Sequence, residues 1–107
     1  MWIQSFVDYL RYERNLSERT IKGYSAGLEA FERFFKRLDA ELCWENLDED
    51  VIRDWMMAMM EEGNRTGSIC CRLSSVRAFY KFLLKRGLVD RNPAHLVVAP
   101  KREKNLP

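Results

Sequence analysis

Residues 66–87 read TGSICCRLSSVRAFYKFLLKRG, and this stretch is the strongest indicator of the fold class. Its apolar residues recur at spacings of three and four, which predicts an amphipathic α-helix with one continuous buried stripe. The stripe consists of Ile69, Leu73, Val76, Tyr80 and Leu83, widened by Phe79 and Leu84. Thr66 is a suitable N-cap, and Gly87 stands where a helix often ends in the left-handed conformation.

The face opposite this stripe combines small side chains with cations. It carries Ser68, Cys71, Ser74, Ser75 and Ala78, with Arg72 and Arg77 at its edges and Lys81, Lys85 and Arg86 near its end. A merely solvated face would carry long charged residues along its whole length. Small hydroxyl-bearing residues between cations would instead allow a nucleic-acid strand or a protein backbone to approach closely. The alternative is that this is the ordinary outer face of a core helix.

Working outward, the same periodicity predicts three earlier helices, over residues 2–14, from Ser17 to about Arg37, and over residues 49–62. Ser17 and Asp48 are suitable N-caps for the second and third helices. The three expected buried stripes are Trp2, Ile3, Phe6 and Leu10; Ile21, Tyr24, Leu28, Phe31, Phe35 and Leu38; and Val51, Ile52, Trp55 and Met59. Trp44 and Leu47, in the acidic connection between the second and third helices, are expected to reach the core.

Asn92 and Pro93 are expected to open a short fifth helix that Pro100 ends. Residues 100–107, PKREKNLP, are polar and basic and lack periodicity, which is typical of a linker. No segment shows strand-like alternation. The sequence therefore predicts an all-α domain over residues 1–99, a four-helix bundle of two helical hairpins with a short C-terminal helix, followed by a linker over residues 100–107.

The composition narrows the class of protein. At 107 residues, the chain has the length of one domain that can bury a core without disulfides. No segment approaches the roughly 18 consecutive apolar residues of a membrane span. Three cysteines, two of them adjacent, match neither a disulfide framework nor a zinc spacing. We therefore expect a protein of the reducing cytoplasm, without a membrane partner.

The net charge of +2 conceals two segments of opposite sign. Residues 39–62 contain nine acidic residues and one basic residue, Arg53, whereas residues 63–107 contain ten basic residues against Asp90 and Glu103. Such a separation can orient a protein in the field of a polyanion, with its acidic side turned away.

The sequence contains no recognisable catalytic constellation. His95 is the only histidine, so any serine or cysteine nucleophile has only one possible imidazole partner. Asp48, Glu49 and Asp50 stand at a helix N-terminus, where capping and the helix dipole account for them better than a metal does. No glycine-rich phosphate loop is present. We expect no enzymatic activity, cofactor, metal or small-molecule substrate for this chain.

Cations and small residues on two helices favour contact with DNA. The second helix offers Arg19, Lys22 and Arg33, with Gly23 and Ala26 between them; the fourth offers Ser68, Cys71, Arg72 and Ser75, preceded by Arg65 and Thr66. Gly23 and Gly27 each cost about 1 kcal/mol relative to alanine inside a helix, so each is expected to permit close packing or ligand approach. Lys101 and Arg102 of the linker complete the basic set. A helical protein-interaction module remains the alternative.

The chain resembles the N-terminal core-binding domain of tyrosine recombinases of the Xer and phage-integrase type. The resemblance spans essentially the whole chain and rests on FVDYLRYERNLSERTIKGYSAGLEAFERFF (6–35), on LSSVRAFYKFL (73–83), on Asn92, Pro93 and Ala94, and on the proline-bounded ending from Pro100 to Pro107. In that family the domain is a SAM-like four-helix bundle that clamps one side of the duplex. A separate C-terminal domain grips the other side and cuts, so the resemblance implies that residues 100–107 are a linker toward a catalytic domain absent from this chain.

The resemblance also implies positions of DNA contact. They fall on Ser17, Arg19, Thr20, Lys22 and Ala26 of the second helix, and on Ser68, Cys71, Arg72 and Ser75 of the fourth. The family often has an acidic residue where Gly27 stands here, so the interaction of that residue is absent or replaced. The family's catalytic residues belong to the C-terminal domain, and no position of this chain matches them. The resemblance further implies other recombinase protomers as partners on DNA.

Overall fold

The computed structural model describes residues 2–99, and all regular secondary structure within them is helical. Helix α1 comprises Trp2–Asp8 and continues into a π-helical turn, Tyr9–Glu13. Helices α2, α3 and α4 comprise Glu18–Leu38, Glu49–Glu61 and Thr66–Lys85. The predicted all-α architecture of four main helices is confirmed, although the first helix changes from α to π geometry after Asp8.

Three of the predicted helix ends are confirmed, and one is not. Ser17 Oγ accepts a hydrogen bond from the Thr20 amide at 3.3 Å, and Asp48 Oδ1 accepts one from Val51. Gly87 has a φ of 70°, the left-handed conformation that ends α4. Thr66 is not a cap. The Ile69 amide donates to the Arg65 carbonyl, which starts α4 one residue earlier and leaves Arg65 as an N-cap without a side-chain hydrogen bond.

Helix α4 is the central element, because it contacts α1, α2 and α3. Its predicted stripe of Ile69, Leu73, Val76, Tyr80 and Leu83 is buried, together with Phe79. Phe82, which the stripe did not include, is buried as well, whereas Leu84 is exposed. A helix with neighbours on three sides buries more of its circumference than one stripe, so the periodicity of α4 underestimates its packing surface.

Trp44, from the connection between α2 and α3, completes the aromatic part of the core. Its ring lies 4.7 Å from that of Phe79 and 5.2 Å from that of Phe35, both in edge-to-face geometry. Its indole N–H donates to Glu32 Oε2 at 3.1 Å. The predicted burial of Trp44 and Leu47 is confirmed. Leu38, expected to be buried, is exposed, because it is the last residue of α2 and the following connection brings Trp44 into the core instead.

The fifth helix predicted at Asn92 and Pro93 is wrong for the part of the chain that the structure describes. Residues 93–96 form a turn, in which Asn92 Oδ1 accepts a hydrogen bond from the Ala94 amide. The guanidinium of Arg77 donates to the carbonyls of Ala94 and Val97. These are carbonyls that a continuing helix would pair with its own amides. The predicted linker, 100–107, lies outside the described residues.

Candidate nucleic-acid interface

Helices α2 and α4 meet through two small residues. Gly27 of α2 is buried, and a Cβ atom added there would lie 3.1 Å from Ser75 Oγ and 3.3 Å from Ser75 Cβ. Ser75 is 4% exposed, and its hydroxyl donates a 3.1 Å hydrogen bond to the Cys71 carbonyl within α4. The prediction that Ser75 lies on an exposed DNA-contact face is therefore wrong. Because α2 packs directly on this side of α4, the serine is a packing residue.

An open groove lies between the same two helices. One part, about 450 Å³ in volume, and a second of about 320 Å³ share Gly23, Cys71 and Arg72 as lining residues. Besides Ser75, five predicted contact residues line the groove: Thr20, Ala26, Ser68, Cys71 and Arg72. The structure therefore brings together, on one surface, candidates that are up to 52 positions apart in the sequence.

The start of α2 exposes a further group of candidates beside the groove. Ser17, Arg19, Thr20 and Lys22 are all exposed, and the Ser17 and Thr20 hydroxyls share a hydrogen bond of 3.0 Å. The first-turn carboxylate of Glu18 is held by a two-point interaction with Arg11, at 2.8 and 3.0 Å. This hydrogen bonding lowers the pKa of Glu18. Arg11 thereby offsets the negative charge of the first turn of this helix.

Three cations near this surface have no carboxylate partner, a property that they share, within residues 2–99, with exposed cations elsewhere such as Arg33, Lys36 and Lys81. Within residues 2–99, Arg19, Lys22 and Arg65 are exposed and form no salt bridge. By contrast, Arg53 of α3 pairs with Glu49 and Asp50, and Arg86 pairs with Glu13. Cations without a carboxylate partner keep their full charge for an incoming anion. Arg65 and the half-buried Thr66 also stand at the start of α4, where the helix dipole favours a phosphate.

Arg72 is half-buried rather than fully exposed. Its Nη1 lies 3.7 Å from the Met59 sulfur of α3, and its Cα lies 3.8 Å from the position of a Cβ at Gly27. The side chain therefore packs across the domain and at the same time lines the groove. The packing contact supports the role of a stem that covers the core, and base reading by Arg72 stays a prediction.

Gly23 and Gly27, which sequence reasoning treated alike, have different surroundings. Beyond its chain neighbours and the backbone of its own helix, no heavy atom lies within 4 Å of a Cβ placed at Gly23, whereas Gly27 packs on Ser75. Sequence reasoning also missed Tyr24 as a lining residue, because it assigned that side chain to the core stripe; in the structure it is half-buried. Its position one turn after Thr20 is the signal that could have placed it there.

The acidic residues at the start of α3 line a different cleft, of about 1100 Å³, together with Lys81, Arg91 and His95. Asp48 caps α3, and Arg53 bridges Glu49 and Asp50. In residues 2–99 no group of three or more histidine, cysteine or acidic side chains could hold a metal ion. Lys101 and Arg102, the remaining DNA-contact candidates, lie outside the described residues.

Residues 3–87 match the family of phage integrase N-terminal SAM-like domains, and the chain belongs to this family. It is 37% identical over 102 residues to tyrosine recombinase XerC of Bacillus licheniformis, covering 95% of this chain and 33% of that protein. It is 35% identical over 106 residues to XerC of Bacillus subtilis (99% and 34%), and 28% identical over 105 residues to XerD of Oceanobacillus iheyensis (98% and 35%).

The chain thus spans about a third of the length of the curated relatives it matches. No solved structure matches it significantly. Among the described residues, no helix is both long enough and apolar enough to cross a membrane.

Proposed function

We propose that this chain is the DNA-binding N-terminal domain of a site-specific tyrosine recombinase or integrase, and that it grips one side of duplex DNA. The observation that carries the proposal is the groove between α2 and α4, with exposed and unpaired cations near it. Lysine and arginine side chains bind DNA by neutralising phosphates and releasing counterions. The relatives' names support the class of parent protein.

The two helices would contact different parts of the DNA. Arg19 and Lys22, at the exposed start of α2, would hold phosphates that border a groove of the DNA. The small exposed residues Ser68 and Cys71 of α4 would allow the helix to approach base edges, which long side chains would prevent. The open position at Gly23 would leave room for the DNA backbone between the two helices.

The rest of the recombination reaction would belong to the parent protein. It would cut and rejoin DNA through a phosphotyrosine intermediate formed by a C-terminal domain, beyond a linker that begins at Pro100. Lys101 and Arg102 would add phosphate contacts within that linker. This domain would also pack against other protomers on the DNA, in the cytoplasm.

An interaction module that binds only protein is the second candidate. The observation that favours it is the pair of exposed methionines on α3, Met57 and Met60, which are 52% and 48% exposed. Methionine-rich surfaces adapt to varied partners. Such binding would be largely apolar and would persist at high salt, whereas binding through phosphates would not.

A salt titration tests the proposed function. The 107-residue chain is added to a fluorescein-labelled mixed-sequence duplex, and anisotropy is recorded at several salt concentrations. We expect weak binding whose log affinity falls linearly with log salt, with a slope of about −0.9 for each phosphate neutralised and only a few such contacts. Absence of binding at low salt, or binding insensitive to salt, would contradict the proposal.

A further inference from the structure

The contact between Gly27 and Ser75 leaves almost no room for adjustment. An added Cβ at Gly27 would meet two atoms of Ser75, its Oγ at 3.1 Å and its Cβ at 3.3 Å. The Oγ atom is held by its hydrogen bond to the Cys71 carbonyl, and the Cβ atom is attached directly to the α4 backbone. A methyl group at position 27 therefore requires Ser75, and with it the facing backbone of α4, to move away from α2 by a few tenths of an ångström.

The residues that line the groove are attached to the same two helices beside this contact. Gly23 and Cys71 each lie four positions, about one helical turn, before Gly27 and Ser75. Any change in the separation of the helices at the contact is therefore transmitted to the distance across the groove. It also changes the distance between Lys22 on α2 and Ser68 on α4.

We propose that Gly27 and Ser75 are a positioning pair, whose close contact sets the width of the groove and thereby the affinity for DNA, although neither side chain touches the DNA. This inference rests on the proposed function. The burial of Ser75 supports it, because its side chain borders the groove but is only 4% exposed, so it offers a ligand little surface to contact.

The test is a double-mutant cycle on the 107-residue chain, with a fluorescein-labelled mixed-sequence duplex at low salt as the probe. Gly27→Ala should weaken binding by about threefold to tenfold, the scale of coupling between residues in contact. Ser75→Gly removes both atoms that the new methyl would meet, so the double variant should recover most of the affinity. The salt slope should stay unchanged in all three variants, because no phosphate contact is lost.

Gly23→Ala is the matched control, because it makes the same substitution one turn earlier, where a Cβ would meet no atom of α4. Any loss of affinity in Gly23→Ala would come from the groove surface itself, so Ser75→Gly should not restore it.

Ser75→Thr tests the same contact by a substitution on α4. It adds a methyl group and keeps a hydroxyl that can donate to the carbonyl four residues earlier. We expect it to weaken binding as Gly27→Ala does. Circular dichroism melting confirms that each variant is folded at the temperature of titration.

The outcomes separate the two proposals. If the unmodified chain binds no duplex, the proposed function fails and the positioning role fails with it. If the unmodified chain binds but folded Gly27→Ala and Ser75→Thr bind equally well, only the positioning role is wrong. The positioning role is also wrong if Gly27→Ala loses affinity and Ser75→Gly does not restore it. If Gly27→Ala does not fold, Ser75→Thr and the double variant decide by the same criteria.

Discussion

The phenol hydroxyl of Tyr80 donates a hydrogen bond of 2.7 Å to the main-chain carbonyl of Trp44. Tyr80 belongs to α4, and Trp44 lies in the connection between α2 and α3. Their rings are 5.9 Å apart within the aromatic core, and Tyr80 is fully buried. Burial raises the pKa of Tyr80. The single bond therefore joins the central helix to a non-helical segment 36 residues away in the sequence.

Replacing Tyr80 by phenylalanine should lower the free energy of unfolding by about 1–3 kcal/mol, because it leaves the Trp44 carbonyl without its partner in the core. Urea denaturation measures the change. DNA affinity of the folded variant should be unaffected, since Tyr80 faces the core rather than the groove. An unchanged urea midpoint would show that the hydrogen bond contributes nothing net.

The same tyrosine should make the domain sensitive to alkali. Its pKa is raised in the folded state, so the folded protein retains this proton at pH values where the unfolded chain has released it. Its contribution to stability is therefore complete below the unfolded pKa of about 10 and declines as pH rises above it. Urea midpoints should fall more steeply above that pH in the unmodified protein than in Tyr80→Phe. Equal slopes would be inconsistent with this origin.

Lys22 and the acidic residues should affect DNA binding very differently. Lys22→Ala should weaken binding to all duplexes alike and make the salt slope shallower by about one unit, as expected for one lost phosphate contact. Charge reversal at Glu45 and Glu61 should change affinity only slightly, through the overall field. Anisotropy titrations compare the three variants. A loss at Glu45 or Glu61 as large as at Lys22 would mean that the acidic residues face the DNA.

Arg72→Ala should identify which role of Arg72 dominates. Because its guanidinium contacts the Met59 sulfur, we expect a lower melting temperature through lost packing. If Arg72 also reads a guanine, the variant should lose about 1–3 kcal/mol on the cognate site and less on scrambled duplexes. Melting curves and titrations on both duplexes separate the effects. Retained discrimination between the duplexes would remove Arg72 from the base-reading surface.

The 107-residue chain alone should neither cleave nor join DNA under any metal condition. This expectation follows from the lack of a recognisable nucleophile and base in its sequence and from its match to an N-terminal domain family. Incubation with supercoiled plasmid, followed by denaturing electrophoresis, tests it. A covalent adduct between protein and DNA would refute the expectation at once.

Local patterns in the sequence were sufficient for the helices and much of the core. The apolar spacing of α4 predicted Ile69, Leu73 and Val76 as buried, and they are. Ser17 and Asp48 cap helices because their side chains reach amides only three residues away. Interactions of this range need no knowledge of the rest of the fold.

Which residues line the groove, in contrast, depends on the part of the protein that packs opposite each of them. Ser75 has the small polar side chain of an exposed helix face, yet α2 covers it; Arg77 has the character of a surface cation, yet it holds two carbonyls of the segment after α4. Gly23 and Gly27 are indistinguishable by residue type and helical spacing, and only the position of Ser75 makes one a packing contact and leaves the other open. Periodicity predicts which face of a helix is apolar and which is polar. It does not show where a neighbouring helix packs closely, because small residues allow close approach but do not determine which helix lies opposite them.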